Sequence, residues 1–117
     1  MAQIRHSDDC GNSPKNSAVE ALAIGLEGGP WPDDISLIDT IWTSAEGDCV
    51  VGPQAIRDAA EASPVSIRIE RVTTHGKVGA VTGLCDGHAF AHVFTFTSAA
   101  AKQLASIDSF RKRAPAD

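Results

Sequence analysis

The sequence contains no tyrosine, few other aromatic residues and no long hydrophobic run. No stretch approaches the roughly 20 consecutive apolar residues that a membrane-spanning helix needs, so no membrane partner is expected. Residues 1–11 are polar and lack the apolar core of a secretory signal peptide. The expected location is therefore the cytoplasm.

Cysteine is also scarce, and acidic residues outnumber basic ones. The three cysteines, Cys10, Cys49 and Cys85, are widely spaced and form no C-x-x-C pair, which favours reduced thiols over disulfides or a zinc site. The net charge is −5, and Lys and Arg cluster only in residues 111–113, which we interpret as a solvated tail. Since a basic face supplies most non-specific nucleic-acid affinity, no nucleic-acid partner is expected.

The remaining composition is that of an ordinary globular protein. Of the 117 residues, 43% are hydrophobic and 21% are charged, which is typical of a folded domain. This length fits one domain, residues 1–117, with a single hydrophobic core. Residues 1–11 are expected to form an irregular arm that precedes the first helix.

The first helix is predicted between two clear boundary signals. Residues 12–14, Asn-Ser-Pro, supply a capping side chain and a proline near the first helical position. Residues 28–30, Gly-Gly-Pro, end the helix. Glu20 and Glu27 lie off its apolar stripe. That stripe recurs at helical spacing and consists of Val19, Leu22, Ala23 and Leu26.

Between this helix and the second half of the chain, two strands and another helix are predicted. Residues 35–42 are rich in β-branched residues and free of glycine and proline, which indicates a strand, although a helical turn at its beginning is an alternative. A short strand at 49–51 and a helix over about 53–62 follow. In the longer strand, Asp39 would face one way and Trp42 the other.

The second half of the chain contains four predicted strands joined by tight turns. Residues 65–73 alternate between apolar and polar, with a slip near Arg71 that indicates a β-bulge. Asp86-Gly87 is a strong two-residue hairpin signal. The expected fold class is α+β, in which a mostly antiparallel sheet buries one face against the two helices. The predicted strands are 65–73, 78–85, 88–97 and 104–112.

Three segments of the chain carry a family resemblance. Residues 9–15, Asp-Cys-Gly-Asn-Ser-Pro-Lys, precede the first helix. Residues 39–42, Asp-Thr-Ile-Trp, end a strand and are followed by Gly47 and by Gly52 before a short helix. Residues 104–110, Leu-Ala-Ser-Ile-Asp-Ser-Phe, form a closing strand that ends in an aromatic residue. This series resembles the nuclear transport factor 2-like superfamily, in particular its small bacterial SnoaL-like members.

The resemblance implies a cone-shaped fold, in which a strongly curved, mostly antiparallel sheet wraps around the N-terminal helix and leaves a pocket at the wide end. Members of this superfamily include isomerases, dehydratases, polyketide cyclases and epoxide hydrolases, besides non-catalytic binding and dimerising domains. The fold alone therefore does not select a function. Without tyrosine, this chain has no counterpart of the phenolic donor found in the ketosteroid isomerases.

His92 is the first candidate for a catalytic group. On an ideal strand it shares a face with Phe90, Phe94 and Phe96. An imidazole among aromatic rings can serve as a general base. The alternative is a hydrogen-bonded histidine that belongs to the core or to an interface.

Two aspartates are the other catalytic candidates. Asp39 lies among aliphatic residues and could act as a base if its face lines a pocket, or could point to water at an edge. Asp108 alternates with Leu104 and Phe110 on the last strand and could form a second acid. Trp42 could stack on a ligand or belong to the core. The residues predicted to contact a ligand are Trp42, Phe90, Phe94 and Phe110.

No motif specifies a metal or an organic cofactor, and none is expected. Residues 85–88, Cys-Asp-Gly-His, span a tight turn whose side chains need not converge on a metal. The first functional hypothesis is a pocket for a small apolar ligand, with or without cofactor-independent isomerase, dehydratase or cyclase chemistry. The second is a non-catalytic homodimer that associates through the sheet face, because residues 89–97 are apolar on both sides.

Overall fold

The computed structural model describes residues 3–11, 13–60 and 63–112 and folds them into two helices and one sheet. Neither described helix has the length and apolar character needed to cross a membrane. The elements follow the chain in the order β1 (Gln3–Arg5), α1 (Pro14–Leu26), β2 (Ile41–Ser44), β3 (Cys49–Val51), α2 (Pro53–Ala59), β4 (Ser66–His75), β5 (Val78–Cys85), β6 (His88–Phe96) and β7 (Leu104–Arg111).

The seven strands belong to one mixed sheet in the order β1-β4-β5-β6-β7-β2-β3. Strands β4 to β7 pair antiparallel with their neighbours in the chain, as do β2 and β3. The sheet is mixed because β1 joins β4, and β2 joins β7, in parallel. The expected α+β class is confirmed, but the expected cone shape is wrong, because the seven strands form an open mixed sheet that is not strongly curved. Strand β1 lies within the arm that was predicted to be irregular.

A tight turn and a bulge set the register of the central strands where the sequence predicted them. Asp86-Gly87 has φ angles of +50° and +82°, the left-handed values that a two-residue hairpin requires. The register between β4 and β5 shifts between Ile69 and Arg71, which is the predicted bulge. Just beyond it, the Asp9 carboxylate accepts a 2.9 Å hydrogen bond from the backbone N–H of Val72, so the arm extends the edge that β1 begins.

The first predicted strand, residues 35–42, is wrong over most of its length. Only its last two residues belong to a strand, β2. The backbone N–H of Thr40 donates to the carbonyl of Leu37 at 3.1 Å, so the chain turns at residues 38–39. Ile35 and Leu37 lie in a loop, but their side chains are buried in the core. This burial explains why the segment has the apolar composition of a strand without forming one.

Helix α1 packs against β4 and β5. Its N-terminus is capped by the Ser13 hydroxyl, which accepts a 3.2 Å hydrogen bond from a backbone N–H of the first turn. Val19 approaches β5 closely because position 79 is glycine, where a Cβ atom would lie 2.7 Å from Val19 Cγ1. Glu20 and Glu27, which the pattern placed off the apolar stripe, are nevertheless buried, at 4% and 0% exposure. Buried carboxylates need hydrogen-bond partners. The partners of Glu27 belong to the site described below.

Strand β6 shows how the sheet divides the chain between a core face and an outer face. Its inward residues are buried in the core, as the alternation predicted. Its outward residues are small or short uncharged side chains. The inward residues are Phe90, His92, Phe94 and Phe96, and the outward ones are Ala89, Ala91, Val93 and Thr95.

Candidate functional site

A cavity of about 320 Å³ opens between β2, β3, α2 and β7. This volume is at the small end of the range for ligand sites. Trp42, Val50 and Ala59 form apolar walls, and Ser44 and Ser109 contribute hydroxyl groups. The charged residues that line the cavity are Glu46, Asp48 and Arg111.

Ser109 on β7 and Trp42 on β2 meet at one side of this cavity. The two strands run in parallel, with Trp42 beside Ile107 and Ser44 beside Ser109. The indole Nε1–H of Trp42 donates a 2.7 Å hydrogen bond to Oγ of Ser109. An indole nitrogen only donates, so Ser109 is the acceptor in this contact.

His92 lies behind Ser109, on the neighbouring strand β6, directly opposite it in the antiparallel register. Its Nδ1 is 2.6 Å from Oγ of Ser109, and its Nε2 is 2.6 Å from Oε2 of Glu27. The side chains of His92 and Glu27 are fully buried. Phe90 and Phe94 flank the imidazole with ring centroids 5.1 and 6.1 Å away, so the predicted aromatic surroundings of His92 are present.

Arg111 completes the surroundings of Glu27. Its Nη1 and Nη2 donate to Oε1 and Oε2 at 2.6 and 2.7 Å, a bidentate pair. Glu27 is also the C-cap residue of α1, where the negative end of the helix dipole disfavours a carboxylate. A charged Glu27 at this position therefore depends on its two donors, His92 and Arg111.

The pKa of Glu27 reflects this balance. Burial, the largest single influence, raises it. The hydrogen bonds that His92 and Arg111 donate, together with the attraction of the guanidinium charge, outweigh burial and hold the pKa of Glu27 below its usual value. The carboxylate is thus ionised in the folded protein at neutral pH.

The hydrogen bonds are satisfied by one simple arrangement of protons. The Glu27 carboxylate only accepts, so Nε2 of His92 donates to it. In a neutral imidazole the other nitrogen, Nδ1, is then an acceptor, and the Ser109 hydroxyl donates to it. A hydroxyl that lines the cavity is thereby connected to a ring nitrogen able to take its proton.

Ser44 is the second hydroxyl at the cavity. Its Oγ is buried and has no hydrogen-bond partner among the residues that the structure describes. Its Cα pairs with that of Ser109 across β2 and β7. A buried polar atom without a partner costs free energy, so a polar group of a bound ligand would be stabilised there.

Among the residues predicted for the site, His92 and Trp42 are brought together, and Ser109 connects them. Asp39 is placed elsewhere: it is exposed in the turn before β2 and does not line the cavity. The predicted face of Asp39 assumed that side chains alternate along a strand. Residues 38–39 form a turn instead, so this alternation does not apply to Asp39.

Asp108 and Phe110 also lie away from the cavity. Both are exposed on the outer side of β7, Phe110 at 52%. The alternation of this strand turns Ser109 and Arg111 towards the cavity instead.

The sequence did not predict Glu27, Ser44, Ser109 or Arg111 as residues of the site. Arg111 was interpreted as part of a solvated tail, an interpretation that is wrong because it ends β7 and pairs with Glu27; residue 113 of that tail lies outside the described residues. The pairing of β6 with β7 would have aligned Ser109 with His92. That register, however, depends on the loop at residues 97–103, whose conformation the pattern does not reveal.

A second carboxylate cluster lies apart from the cavity, at the N-terminal arm. Glu20 accepts a 2.9 Å hydrogen bond from the backbone N–H of Ser7 and a 2.6 Å one from Sγ of Cys10, and Nδ1 of His6 lies 3.3 Å away. Burial and, after it, Glu20 raise the pKa of the Cys10 thiol to about 11. Such a thiol is a poor nucleophile, which argues against a reactive site here. The contacts of the cluster instead attach the arm to α1 through Glu20. Within the described ranges, no group of three His, Cys, Asp or Glu side chains could hold a metal ion.

Comparison with known proteins gave no match to a family model, to a curated protein or to a solved structure. The function must therefore be argued from the site itself.

Proposed function

We propose that this chain is a small-molecule pocket protein whose ligand binds in the cavity beside Trp42 and Ser109. The observation that carries the proposal is the connection of this cavity to a buried proton acceptor. Ser109 lines the cavity, and its Oγ lies 2.6 Å from Nδ1 of His92. Ionisable groups that are joined to a cavity in this way are typical of functional sites.

The lining favours a small ligand with an apolar body and no negative charge. Trp42 offers a flat aromatic surface for stacking. The charge of Arg111 is balanced by its bidentate pair with Glu27, while Glu46 and Asp48 add two carboxylates at the exposed side. The exposed carboxylate of Asp48 repels an anion at the cavity, so neutral or cationic ligands are preferred.

The site can support proton transfer without a cofactor, as in an isomerase, a dehydratase or a cyclase. A substrate in the cavity can reach the Ser109 hydroxyl but not the buried His92. As Oγ of Ser109 takes a proton from the substrate, it would pass its own proton to Nδ1 of His92. Glu27 keeps the imidazole in the tautomer this relay needs.

Membership of the nuclear transport factor 2-like superfamily is part of the proposal. It is supported by the packing of α1 against β4 and β5 and by a cavity at the end of the sheet where β2, β3 and β7 meet α2. A cytoplasmic location is proposed as well, because the cysteines are free thiols.

The pocket is tested with three ligands of one shape and different charge: benzylamine, benzyl alcohol and benzoate. In thermal-shift titrations of the wild type, benzylamine and benzyl alcohol are expected to raise the melting temperature, and benzoate is expected to raise it least. Ala59→Trp fills the cavity from an exposed position of α2 and should abolish the shift. Gln54→Trp adds the same ring to the same helix outside the cavity and should retain it. Equal behaviour of the two variants, or no stabilisation of the wild type, rejects the pocket.

A second candidate function, a homodimer interface, is favoured by the outer face of the sheet. Charged residues flank this face on both sides: Arg68 and Arg71 on β4, and Asp108 on β7, all exposed. The outward residues of the two strands between them carry no charge; they are Val78, Ala80, Thr82 and Leu84 on β5 and Ala89, Ala91, Val93 and Thr95 on β6.

A second copy of the chain fits this arrangement. If two sheets pack face to face about a twofold axis parallel to the strands, β4 of each copy lies over β7 of the other. Thr73 of β4 then lies over Asp108 of the second copy, with Arg71 two residues further along its strand, and the uncharged strips meet at the centre. The proposed interface thus buries the uncharged strip of each copy against that of the other.

Light scattering or sedimentation at tens of micromolar tests this interface. We expect a wild-type dimer, a monomer for Val93→Glu at the centre of the strip, and a dimer for Val65→Glu, a control at a 77% exposed position before β4. A monomeric wild type, or a dimer that both variants leave intact, would show that this face is not the interface.

A further inference from the structure

Ser109, His92 and Glu27 form a line of hydroxyl, imidazole and carboxylate, with two hydrogen bonds of 2.6 Å along it. Nucleophile, general base and orienting acid stand in the same order in serine hydrolases of unrelated folds. Here the hydroxyl meets Nδ1 and the carboxylate meets Nε2; the roles are unaffected, because either ring nitrogen can accept a proton. We propose that Ser109 is the nucleophile of an ester hydrolase whose substrates bind in the cavity beside Trp42.

Exposure separates the three groups as this chemistry requires. Ser109 lines the cavity, whereas the side chains of His92 and Glu27 have no exposed surface. A substrate therefore meets the hydroxyl and not the base. His92 acts on the substrate only through protons that it exchanges at the reacting oxygen atoms, and Glu27 is a positioning residue.

Trp42 and His92 together fix the position of the Ser109 oxygen. The indole N–H occupies one lone pair of Oγ, and the hydroxyl proton points to Nδ1. One lone pair remains for attack on a carbonyl carbon. The two partners belong to β2 and β6, the strands on either side of β7, so Oγ is held by paired backbone and not by a flexible loop.

Ser44 supplies a hydrogen-bond donor for the charge that develops on the carbonyl oxygen. Its hydroxyl is buried without a partner in the described part of the chain, it lines the same cavity, and its Cα is paired with that of Ser109. A donor that is already in place and unengaged is the kind of group that stabilises an oxyanion. This observation is independent of the His92 network.

The reaction requires only an ester and water. In the first half, Oγ of Ser109 bonds to the carbonyl carbon and its proton passes to Nδ1 of His92; the bond from that carbon to the alcohol oxygen then breaks, and Nδ1 returns the proton to the departing alkoxide. In the second half, water attacks the acyl carbon and gives a proton to Nδ1, the bond from carbon to Oγ breaks, and Oγ recovers the proton. The Nε2–H stays in place throughout, where Glu27 stabilises the imidazolium.

This inference rests on the pocket proposed above and names the substrate class for it. A cavity of about 320 Å³ admits a short ester and not a long-chain one. Asp48 at the cavity disfavours esters that carry a carboxylate or a phosphate. The substrates are therefore short, neutral or cationic esters.

The test uses the 117-residue chain and two probes. Phenylmethanesulfonyl fluoride carries the benzyl group of the ligands named above; attack by Oγ forms an oxygen–sulfur bond and releases fluoride. We expect one sulfonyl group per chain, on the peptide that contains Ser109. The second probe, 4-nitrophenyl acetate, should be hydrolysed by the wild type about a hundred-fold faster than by Ser109→Ala or His92→Gln, the usual contribution of a positioned acid or base.

Matched variants separate catalysis from folding. Ser106→Ala removes a hydroxyl from the outer side of the same strand and should react like the wild type. Glu27→Gln should lower kcat for 4-nitrophenyl acetate but leave the affinity for benzyl alcohol unchanged, as expected of a positioning residue. Peptide mapping of the labelled wild type needs no variant, so the result does not depend on whether Ser109→Ala folds.

The outcomes distinguish this inference from the pocket on which it rests. A label on any other residue, or equal hydrolysis by Ser109→Ala and Ser106→Ala, overturns the nucleophile. If benzyl alcohol stabilises the wild type but neither probe reacts, the pocket stands and the nucleophile is wrong. If nothing binds and nothing reacts, both proposals are wrong.

Discussion

The carboxylate of Glu27 and the guanidinium of Arg111 are joined by two hydrogen bonds of 2.6 and 2.7 Å, although the residues lie 84 positions apart. Glu27 caps the C-terminus of α1, and Arg111 ends β7. The pair therefore ties the first helix to the last strand, directly behind the Ser109 hydroxyl and His92. The Glu27 carboxylate is fully buried and depends on such partners, whereas the Arg111 side chain remains 25% exposed.

Removal of either partner of this pair should destabilise the fold strongly. Glu27→Gln removes the carboxylate that the guanidinium pairs with through two hydrogen bonds, and Arg111→Met leaves a buried carboxylate with His92 alone. We expect each change to lower the free energy of unfolding by about 3–5 kcal/mol, the usual cost of breaking a buried ion pair. Urea denaturation measures these losses. The double variant should lose less than the sum of the two single losses, and strictly additive losses would mean that the pair is not coupled.

The lowered pKa of Glu27 makes stability depend on acid. Because the folded-state pKa lies below the ordinary value of 4.5, protons bind more readily to the unfolded chain. The stabilisation from this carboxylate is complete above about pH 4.5 and is lost as the pH falls from there through the lower, folded-state pKa. The urea midpoint of the wild type should fall over this range, and that of Glu27→Gln should fall less steeply. Asp108→Asn, at an exposed position, is the control; a shared slope for the wild type and Glu27→Gln would contradict this expectation.

Ser109→Ala should remove the hydrogen-bond partner of the half-buried indole N–H of Trp42 and of the buried Nδ1 of His92. We expect a loss of about 1–3 kcal/mol in the free energy of unfolding and a change in Trp42 fluorescence. Trp42→Phe identifies the emission of Trp42 against that of Trp31, and Ser109→Thr, which keeps a hydroxyl, should resemble the wild type more closely. An emission spectrum that Ser109→Ala leaves unaltered would argue against the hydrogen bond to Trp42.

The thiols should differ widely in reactivity. Burial, followed by the negative charge of Glu27, raises the pKa of Cys85 to about 12, and burial with Glu20 raises that of Cys10 to about 11. At pH 8 about one-thousandth of Cys10 is thiolate, and the thiolate is the reactive form. Iodoacetamide should therefore alkylate the exposed Cys49 first, as peptide mass mapping can show.

Glu20→Gln tests the cause of the low Cys10 reactivity. It removes a nearby anion, which lowers the Cys10 pKa and should speed alkylation of Cys10 relative to Cys49. Cys10 that reacts as fast as Cys49 in the wild type would show that the arm does not shield it.

The elements whose signals are local were predicted with nearly correct bounds. Ser13 and Gly28 delimit α1, Asp86-Gly87 sets the β5–β6 hairpin, and the slip near Arg71 marks the bulge in β4. Residues 35–42 failed because burial of Ile35 and Leu37 in a loop imitates the composition of a strand. Composition alone does not distinguish a buried loop from a strand, because both present aliphatic side chains to the core.

Local preferences of the chain thus account for the helix boundaries, the hairpin and the placement of His92 on the core face, since each depends on dihedral preferences or alternation over a few residues. The site exists only after folding. Glu27 reaches His92 across 65 positions and Arg111 across 84, and Ser109 is aligned with His92 by the register of β6 and β7. Charge pairing and strand register are decided by which elements meet in space, and no short segment contains that information.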